Sequence, residues 1–394
     1  MAKLTVNDVD FKNKLVIERC DFNVPQDANL SITDDTRIRA SIPTINYILS
    51  KGPKKLILMS HLGRPDGKVV AKYSLKPVAV RLAEFLKEPV LMLNDCIGDG
   101  VVNAINNSKE RIILLENLRF HVQEEANDVN FAKSLAGLAE IYVNDAFGTA
   151  HRGHASTEGI AHFLKSCAGL LLGKEIEYLS KATTCPDKPY CLILGGAKVS
   201  DKIGVIENLL PKLDKIIIGG GMCYTFLKAK GIPVGNSKLE KEKIDLAKTI
   251  LENAAARKVK IVLPVDHVVA DKFDASADAI VTSGVDIADG LMGLDIGPKT
   301  VELFKSELKD AKTIVWNGPL GVFEMDKFAK GSIEIAKFIT TLKATSIIGG
   351  GDTAAAVTKF GLENKMSHIS TGGGASLEFL EGKILPGIAA LTEK

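Results

Sequence analysis

The chain has 394 residues, 46% of them apolar and 25% charged. At roughly 100–200 residues per domain, that length predicts two or three domains, and the composition excludes disorder and a collagen-like repeat. No apolar run approaches the ~18 residues of a membrane span. The net charge of +2, from 50 basic against 48 acidic residues, points to no nucleic-acid partner.

The total hides an asymmetry. Of nine arginines, eight lie in the first 152 residues, and only Arg257 comes later. Arginine suits a bidentate grip on phosphate and carboxylate, so the first part is expected to handle anions. Six cysteines (20, 96, 167, 185, 191 and 223) form no CxxC pair. Reduced thiols and a cytoplasmic location are expected, with no secretory signal at the N-terminus.

Short apolar runs recur in chain order. They are residues 14–17, 55–60, 89–93, 111–115 and 140–143, then 190–194, 215–218, 260–265, 313–316, 345–348 and 368–370. Such runs suit strands buried on both faces. Stretches with helical spacing lie between them, as at 78–86 and 244–251, and the alternation predicts βαβ units with parallel sheets. Eleven strands exceed one ordinary sheet, so two domains are expected. Prolines 186 and 189 mark the seam, and residues 170–181 read as a helix able to bridge it. Residues 375–381 read as a further helix.

In open α/β sheets, ligands bind beyond the carboxyl ends of the strands. In the first half, those ends carry Arg19, Asp21 and Asn23, then His61 and Arg64, then Glu116, Asn117 and Arg119, then Asn144, Asp145, His151 and Arg152. Arg37 and Arg39 follow the first strand, in a loop or at a helix start. Together these side chains would form one cationic basin for a small, multiply anionic metabolite. His151 and His154 form an H-x-x-H pair, but no third ligand stands at zinc-like spacing.

In the second half, the strand ends are rich in glycine: 195–198, 219–221, 317–319, 349–353 and 372–374. Successive backbone N–H groups in such loops make anion-binding nests, and a following helix N-terminus favours phosphate. Asp352 is either a helix cap or a ligand for Mg²⁺ on a nucleotide. Walker and protein-kinase motifs are absent. Residues 349–354 do fit the dinucleotide pattern G-x-G-x-x-[GA], which keeps an NAD-dependent dehydrogenase as an alternative. The residues by themselves thus predict a cationic domain, a nucleotide domain and phosphoryl transfer between them.

The blocks RCDFNVP (19–25), SHLGRP (60–65), LLENLRFH (114–121), NDAFGTAHRGH (144–154), LGGAKVSDKI (194–203), IGGGMCYTFL (218–227), MGLDIGPKT (292–300), WNGPLGVFE (316–324), GGGDTAA (349–355) and STGGGASLEFLEGK (370–383) resemble the phosphoglycerate kinase family. They run in the family's order over nearly the whole chain. The resemblance implies two doubly wound, parallel-sheet, Rossmann-like α/β domains joined by a hinge. Residues 1–169 would bind phosphoglycerate, 170–185 would form the interdomain helix and hinge, and 186–380 would bind nucleotide. The tail, 381–394, would return to the first domain. The reaction implied is reversible transfer of the acyl phosphate of 1,3-bisphosphoglycerate to MgADP, giving 3-phosphoglycerate and MgATP.

By the same resemblance, Asp21, Asn23, Arg37, His61, Arg64, Arg119 and Arg152 would hold phosphoglycerate. Lys198, Lys202, Gly293, Asn317, Glu324, Gly350, Gly351, Asp352 and Thr353 would serve the nucleotide. Gly196, Gly219, Gly220, Leu294 and Pro319 would line the adenine side. Arg37, Lys198, Gly351 and Gly373 would act on the transferring phosphoryl group, and Asp352 would hold Mg²⁺. The family is monomeric, with no membrane partner. A non-catalytic metabolite-binding protein of the same fold is the remaining alternative.

Three positions depart from the family pattern. Gly153 and Cys223 stand where alanine is common. Glu18 stands where an apolar residue usually ends the strand, which predicts a buried carboxylate in need of a partner.

Overall fold

The computed structural model describes residues 3–394. The chain divides into two compact units, one of Met1–Glu177 with Ile384–Lys394, the other of Tyr178–Lys383. The division falls inside the helix Leu170–Thr184, upstream of the prolines that mark the seam in the sequence.

The first unit is built on a six-stranded sheet of β1 (Leu15–Arg19), β2 (Lys55–Met59), β3 (Val90–Met92), β4 (Ile112–Leu114), β5 (Ile141–Asn144) and β6 (Lys165–Ala168). The order across the sheet is β3-β4-β2-β1-β5-β6, and every pairing is parallel. The chain starts in the middle, moves out to one side, then crosses to the other. The strand order therefore reverses beside β1, where Arg19 pairs with Met59 on one side and Asn144 on the other. That reversal is where an open sheet leaves a crevice for a ligand.

Alternate strand residues (Val16, Leu56, Leu58, Ile112, Leu114 and Val143) pack on one face with Ile38, Ile45 and Ile48 of the helix Thr36–Ser50 and Val78 and Leu82 of the helix Lys76–Leu86. Ile17, Ile57, Ile113 and Tyr142, which point the other way, are also buried. Both faces are covered, as a parallel sheet requires. Each fully buried Ile or Leu contributes about 1.5–3 kcal/mol. The C-terminal residues belong to this unit. Thr392 accepts from Leu4 N at 2.9 Å, and Gly387 donates to Ala150 O at 2.9 Å.

The second unit repeats the plan. Its parallel sheet contains β7 (Tyr190–Leu194), β8 (Lys215–Ile218), β9 (Lys260–Val262), β13 (Thr313–Asn317), β14 (Thr345–Gly349) and β15 (His368–Ile369), in the order β15-β14-β13-β7-β8-β9. The order reverses between β7 and β13, where Asn317 pairs with Leu194 and with Gly349. Trp316 is wholly buried among Ile193, Ile348, Phe304 and Ile335. A second, three-stranded sheet has β10 (His267–Ala270) between β11 (Ile280–Val281) and β12 (Met292–Ile296), antiparallel to both.

Three features differ from the expected runs. β6 lacks the Ile, Val and Leu density that marks the other strands, and the runs of the β10–β12 sheet are only two to four residues long or broken by Gly293. The run 260–265 forms a strand only to Val262, because Pro264 has no N–H to give a ladder. Glu18 and Arg19 continue β1 as buried residues rather than ending it.

Candidate active site

The carboxyl end of β1 leads into a buried polar network centred on Arg19, which is 1% exposed. Its Nε donates to Ser156 Oγ at 2.9 Å, its Nη2 lies 3.1 Å from His61 Nδ1, and its Nη1 donates to Cys20 O. Ser156 Oγ in turn donates to Glu124 Oε1 at 2.6 Å. The Glu124 carboxylate thus faces the guanidinium across one hydroxyl.

His61 is buried at the start of the loop after β2, and its pKa lies well below the ordinary histidine range. Burial is the main cause; Arg19, Arg119, Arg152 and Arg37 then each push it lower. Four arginine charges thus act on one buried imidazole. His61 is their neutral neighbour.

The other residues expected on this side are placed as follows. Arg37 is the second residue of the helix Thr36–Ser50, and its Nη1 donates to Asp21 Oδ2 at 2.5 Å. Asn23 Oδ1 accepts from Gly63 N at 2.9 Å. Arg119 Nη1 donates to Gly63 O at 2.9 Å, and its Nη2 pairs with Glu125 at 3.1 Å. Its buried Nε has no hydrogen-bond partner, an orphan donor that an anion would satisfy. Arg152 Nε donates to His151 Nε2 at 3.3 Å. Arg64 is exposed beside Gly63, and no contact ties its side chain to the cluster. The role of Arg19 as hub goes beyond the sequence reading. Its place at a strand end was legible, but its burial and its link to Ser156 and Glu124 were not.

In the second unit, three loops abut where the strand order reverses. A Cβ on Gly318 would lie 2.2 Å from Gly195 O, and one on Gly220 would lie 2.7 Å from both Gly196 N and Pro319 O. These glycines let backbone approach backbone, which sets the floor of the site. Beside them opens a cavity of about 280 Å³. Its walls include Gly196, Gly220, Gly293, Leu294, Pro319, Glu324 and Asp352 of the expected nucleotide set. Tyr224, Lys238, Phe273, Met292 and Val322 also line it; none of these was singled out from the sequence. Largely apolar walls broken by glycine suit a flat aromatic base.

Gly219 stands apart from these walls. It is buried against Leu320, whose Cδ2 a Cβ would meet at 2.6 Å, and it does not line the cavity. The absent side chain makes room for Leu320.

The helix Gly351–Lys359 begins at the mouth, capped by Gly350 at φ +86°. Asp352 is its second residue and makes no cap bond, so the cap reading of this residue falls. Its carboxylate is exposed at the cavity wall, an oxygen ligand of the kind Mg²⁺ takes alongside phosphate oxygens. The first-turn amides of this helix lack intrahelical acceptors, which favours phosphate. Thr353 Oγ1 instead accepts from Gly318 N at 2.6 Å, joining the helix to the loop after β13.

Lys202 Nζ donates to Asn317 Oδ1, and Asn317 Nδ2 is buried without a hydrogen-bond partner. Burial lowers the Lys202 pKa, and Asp201, Asp352 and Glu381 offset part of that. Lys198 is exposed in the loop after β7. Gly351 and Gly373 have open space where a Cβ would stand.

Two α/β units, one with converging arginines and the other with a glycine-floored cavity and a helix N-terminus, define a phosphotransferase. Residues 6–383 match the family described as "Phosphoglycerate kinase". The chain is 56% identical to the phosphoglycerate kinase of Pseudothermotoga lettingae and 58% identical to that of Koribacter versatilis, each over 100% of both chains. The solved phosphoglycerate kinase of Coxiella burnetii superposes with a TM-score of 0.90 at 43% identity, covering 98% of each chain. The chain belongs to the phosphoglycerate kinase family. Its reaction is the reversible transfer of the acyl phosphate of 1,3-bisphosphoglycerate to ADP, giving 3-phosphoglycerate and ATP. The dehydrogenase and non-catalytic readings are set aside. The 349–354 pattern follows β14, late in its sheet, rather than the strand that opens a dinucleotide fold.

Proposed function

We propose that the two halves of this reaction are divided between the two units. Phosphoglycerate sits against Arg37, Arg64, Arg119 and Arg152, with Asp21, Asn23 and His61 completing the site. The nucleotide base enters the 280 Å³ cavity, and its phosphates run along the amides of Gly350–Thr353 toward Lys198 and Lys202. The observation that carries this reading is the orphan buried Nε of Arg119 in one unit, a donor that an anion would satisfy, set against the glycine-floored cavity in the other.

The nucleophile is a β-phosphate oxygen of ADP, or in reverse the carboxylate of 3-phosphoglycerate. Both are already deprotonated near neutral pH, so no general base is required. Catalysis is then positioning and charge neutralisation on the transferring phosphoryl group. Asp21 orients the Arg37 guanidinium and leaves its remaining N–H donors for the phosphoryl oxygens. Lys198 and the amides of Gly351 and Gly373 take up charge from the nucleotide side. Asp352 would hold Mg²⁺, which would neutralise the nucleotide phosphates. Each unit carries only part of the set, so transfer needs the hinge to close both parts around the substrates and exclude water. The monomer suffices for this chemistry. No helix among the described residues is long and apolar enough to cross a membrane.

Calorimetric titration of each substrate separately tests the division. Arg119→Ala loses 3-phosphoglycerate binding and keeps ADP binding, while Lys202→Met does the reverse. Asp352→Asn retains ADP binding without Mg²⁺ but loses its enhancement by Mg²⁺. Equal losses of both ligands in either of the first two variants would overturn the division.

A further inference from the structure

A second cluster of ligating side chains stands outside the residues assigned above. Asp95 and Cys96 follow β3 in a loop, and His121 follows the short 3-10 turn Leu118–Phe120. A carboxylate oxygen of Asp95, the Cys96 sulfur and a His121 ring nitrogen all lie within 4.8 Å of one another. We propose that Asp95, Cys96 and His121 form a binding site for a Zn²⁺-class divalent ion, separate from the Mg²⁺ that accompanies the nucleotide.

The donor set decides the class. A thiolate, an imidazole and one carboxylate suit Zn²⁺ or Co²⁺, whereas Mg²⁺ prefers oxygen ligands alone. Three protein ligands leave a fourth, tetrahedral position for water.

The surroundings already hold the ligands in place. His121 Nε2 lies 2.7 Å from Asp95 Oδ1, and the same oxygen accepts from Cys96 N at 2.7 Å. Glu116 N donates to Asp95 O at 3.3 Å, and the Phe131 ring packs on His121 with centroids 5.4 Å apart. Cys96 is 0% exposed, so its sulfur is shielded from oxidants, while Asp95 is exposed and gives an ion a way in.

Binding balances simply. The ion bonds the Cys96 sulfur, the neutral His121 ring through Nε2, and the ionised Asp95. The thiol proton leaves to solvent, and the ring proton, which the 2.7 Å contact with Asp95 Oδ1 places on Nε2 in the free site, moves to Nδ1 as the ion takes its position. One proton therefore leaves per ion bound.

The test uses Co²⁺ as probe on the full chain carrying Cys185→Ser, which removes the exposed thiol. One equivalent of Co²⁺ should give a thiolate-to-cobalt charge-transfer band and tetrahedral visible bands, with one proton released. Zn²⁺ should displace it, and excess Mg²⁺ should not. Cys96→Ser should abolish the charge-transfer band, and His121→Gln should weaken Co²⁺ binding more than about tenfold. His121 is part-exposed, so its variant decides the matter alone if Cys96→Ser does not fold. No charge-transfer band in the parent, displacement by Mg²⁺, a band surviving Cys96→Ser, or unchanged affinity in His121→Gln would each overturn the site.

Discussion

The Arg19 guanidinium stands 3.1 Å from Nδ1 of His61, and both side chains are buried. Arginine has no acceptor, so Nδ1 must accept and the ring proton must sit on Nε2. His61 therefore keeps one N–H donor and no charge beside the Arg19 guanidinium. Nitrogen-15 NMR of the imidazole should find the Nε2–H tautomer throughout the pH range where a free histidine titrates. Its folded pKa is depressed, so any stability it confers is present above the ordinary value of 6.5 and is lost as pH falls through the folded value. A His61 resonance that titrates near 6.5 would remove this account of the basin.

Arg19 also faces Glu124 across Ser156. Arg19→Met removes the charge that offsets a fully buried carboxylate and should destabilise the chain by about 3–5 kcal/mol. Adding Glu124→Gln should restore part of that loss, because the second change removes the stranded charge. Urea unfolding of the two single variants and the double variant measures the coupling. Strict additivity would mean the two groups do not interact.

Arg37 is held by Asp21 rather than by the core, and its side chain is exposed. Arg37→Ala should therefore leave stability within about 0.5 kcal/mol of the parent. Turnover should fall by about 10³–10⁵, the loss seen when an arginine aimed at a transferring phosphoryl is removed. A coupled assay of ATP formation, beside calorimetric ADP binding that stays unchanged, separates this from a general loss of structure.

Two glycines predict opposite outcomes. Gly318 has φ +98°, and a Cβ there would lie 2.2 Å from the Gly195 carbonyl oxygen. Gly318→Ala strains the backbone, by about 1–3 kcal/mol, and overpacks, by a further ~1–3 kcal/mol. Gly351 opens a helix and has nothing within 4 Å of its Cβ position. Gly351→Ala should keep or raise stability, by up to about 1 kcal/mol. It should still lower turnover, because the new methyl stands where the phosphates approach. Urea midpoints and turnover, read together, distinguish a glycine needed by the fold from one needed by the substrate.

Much of the plan was legible because parallel strands buried on both faces read as unbroken apolar runs, as Tyr190–Leu194 does. Lys165–Ala168 escapes that signal: its interior is filled by Ser166 and Cys167, and hydrogen bonds to Thr392 at the far end of the chain hold Ser166 in place. Met292–Ile296 escapes it through Gly293, which is glycine because the Tyr224 hydroxyl would lie 1.9 Å from a Cβ. In the candidate site, charged residues at strand ends announce themselves. Phe273 and Met292 do not, since an apolar residue that lines a ligand cavity reads like any other apolar residue.

Glu18 is the departure that the structure makes sharpest. It is 0% exposed in β1, and among the described residues no N–H or O–H donates to its carboxylate oxygens. Burial, and then the neighbouring charge of Asp145, raises its pKa well above the usual carboxylate value of 4.5. The fold keeps this proton while the unfolded chain loses it. Any stability the protonated acid allows is therefore complete below pH 4.5 and is lost as pH rises through the folded value. Glu18→Gln keeps the shape of the neutral acid and cannot ionise. It should match the parent in urea midpoint at pH 4 and exceed it at pH 8, with the gap widening between. Its m-value should not change, since the same surface is exposed on unfolding. A gap of equal size at both pH values would show that Glu18 costs the fold through shape or hydrogen bonding, not through its proton.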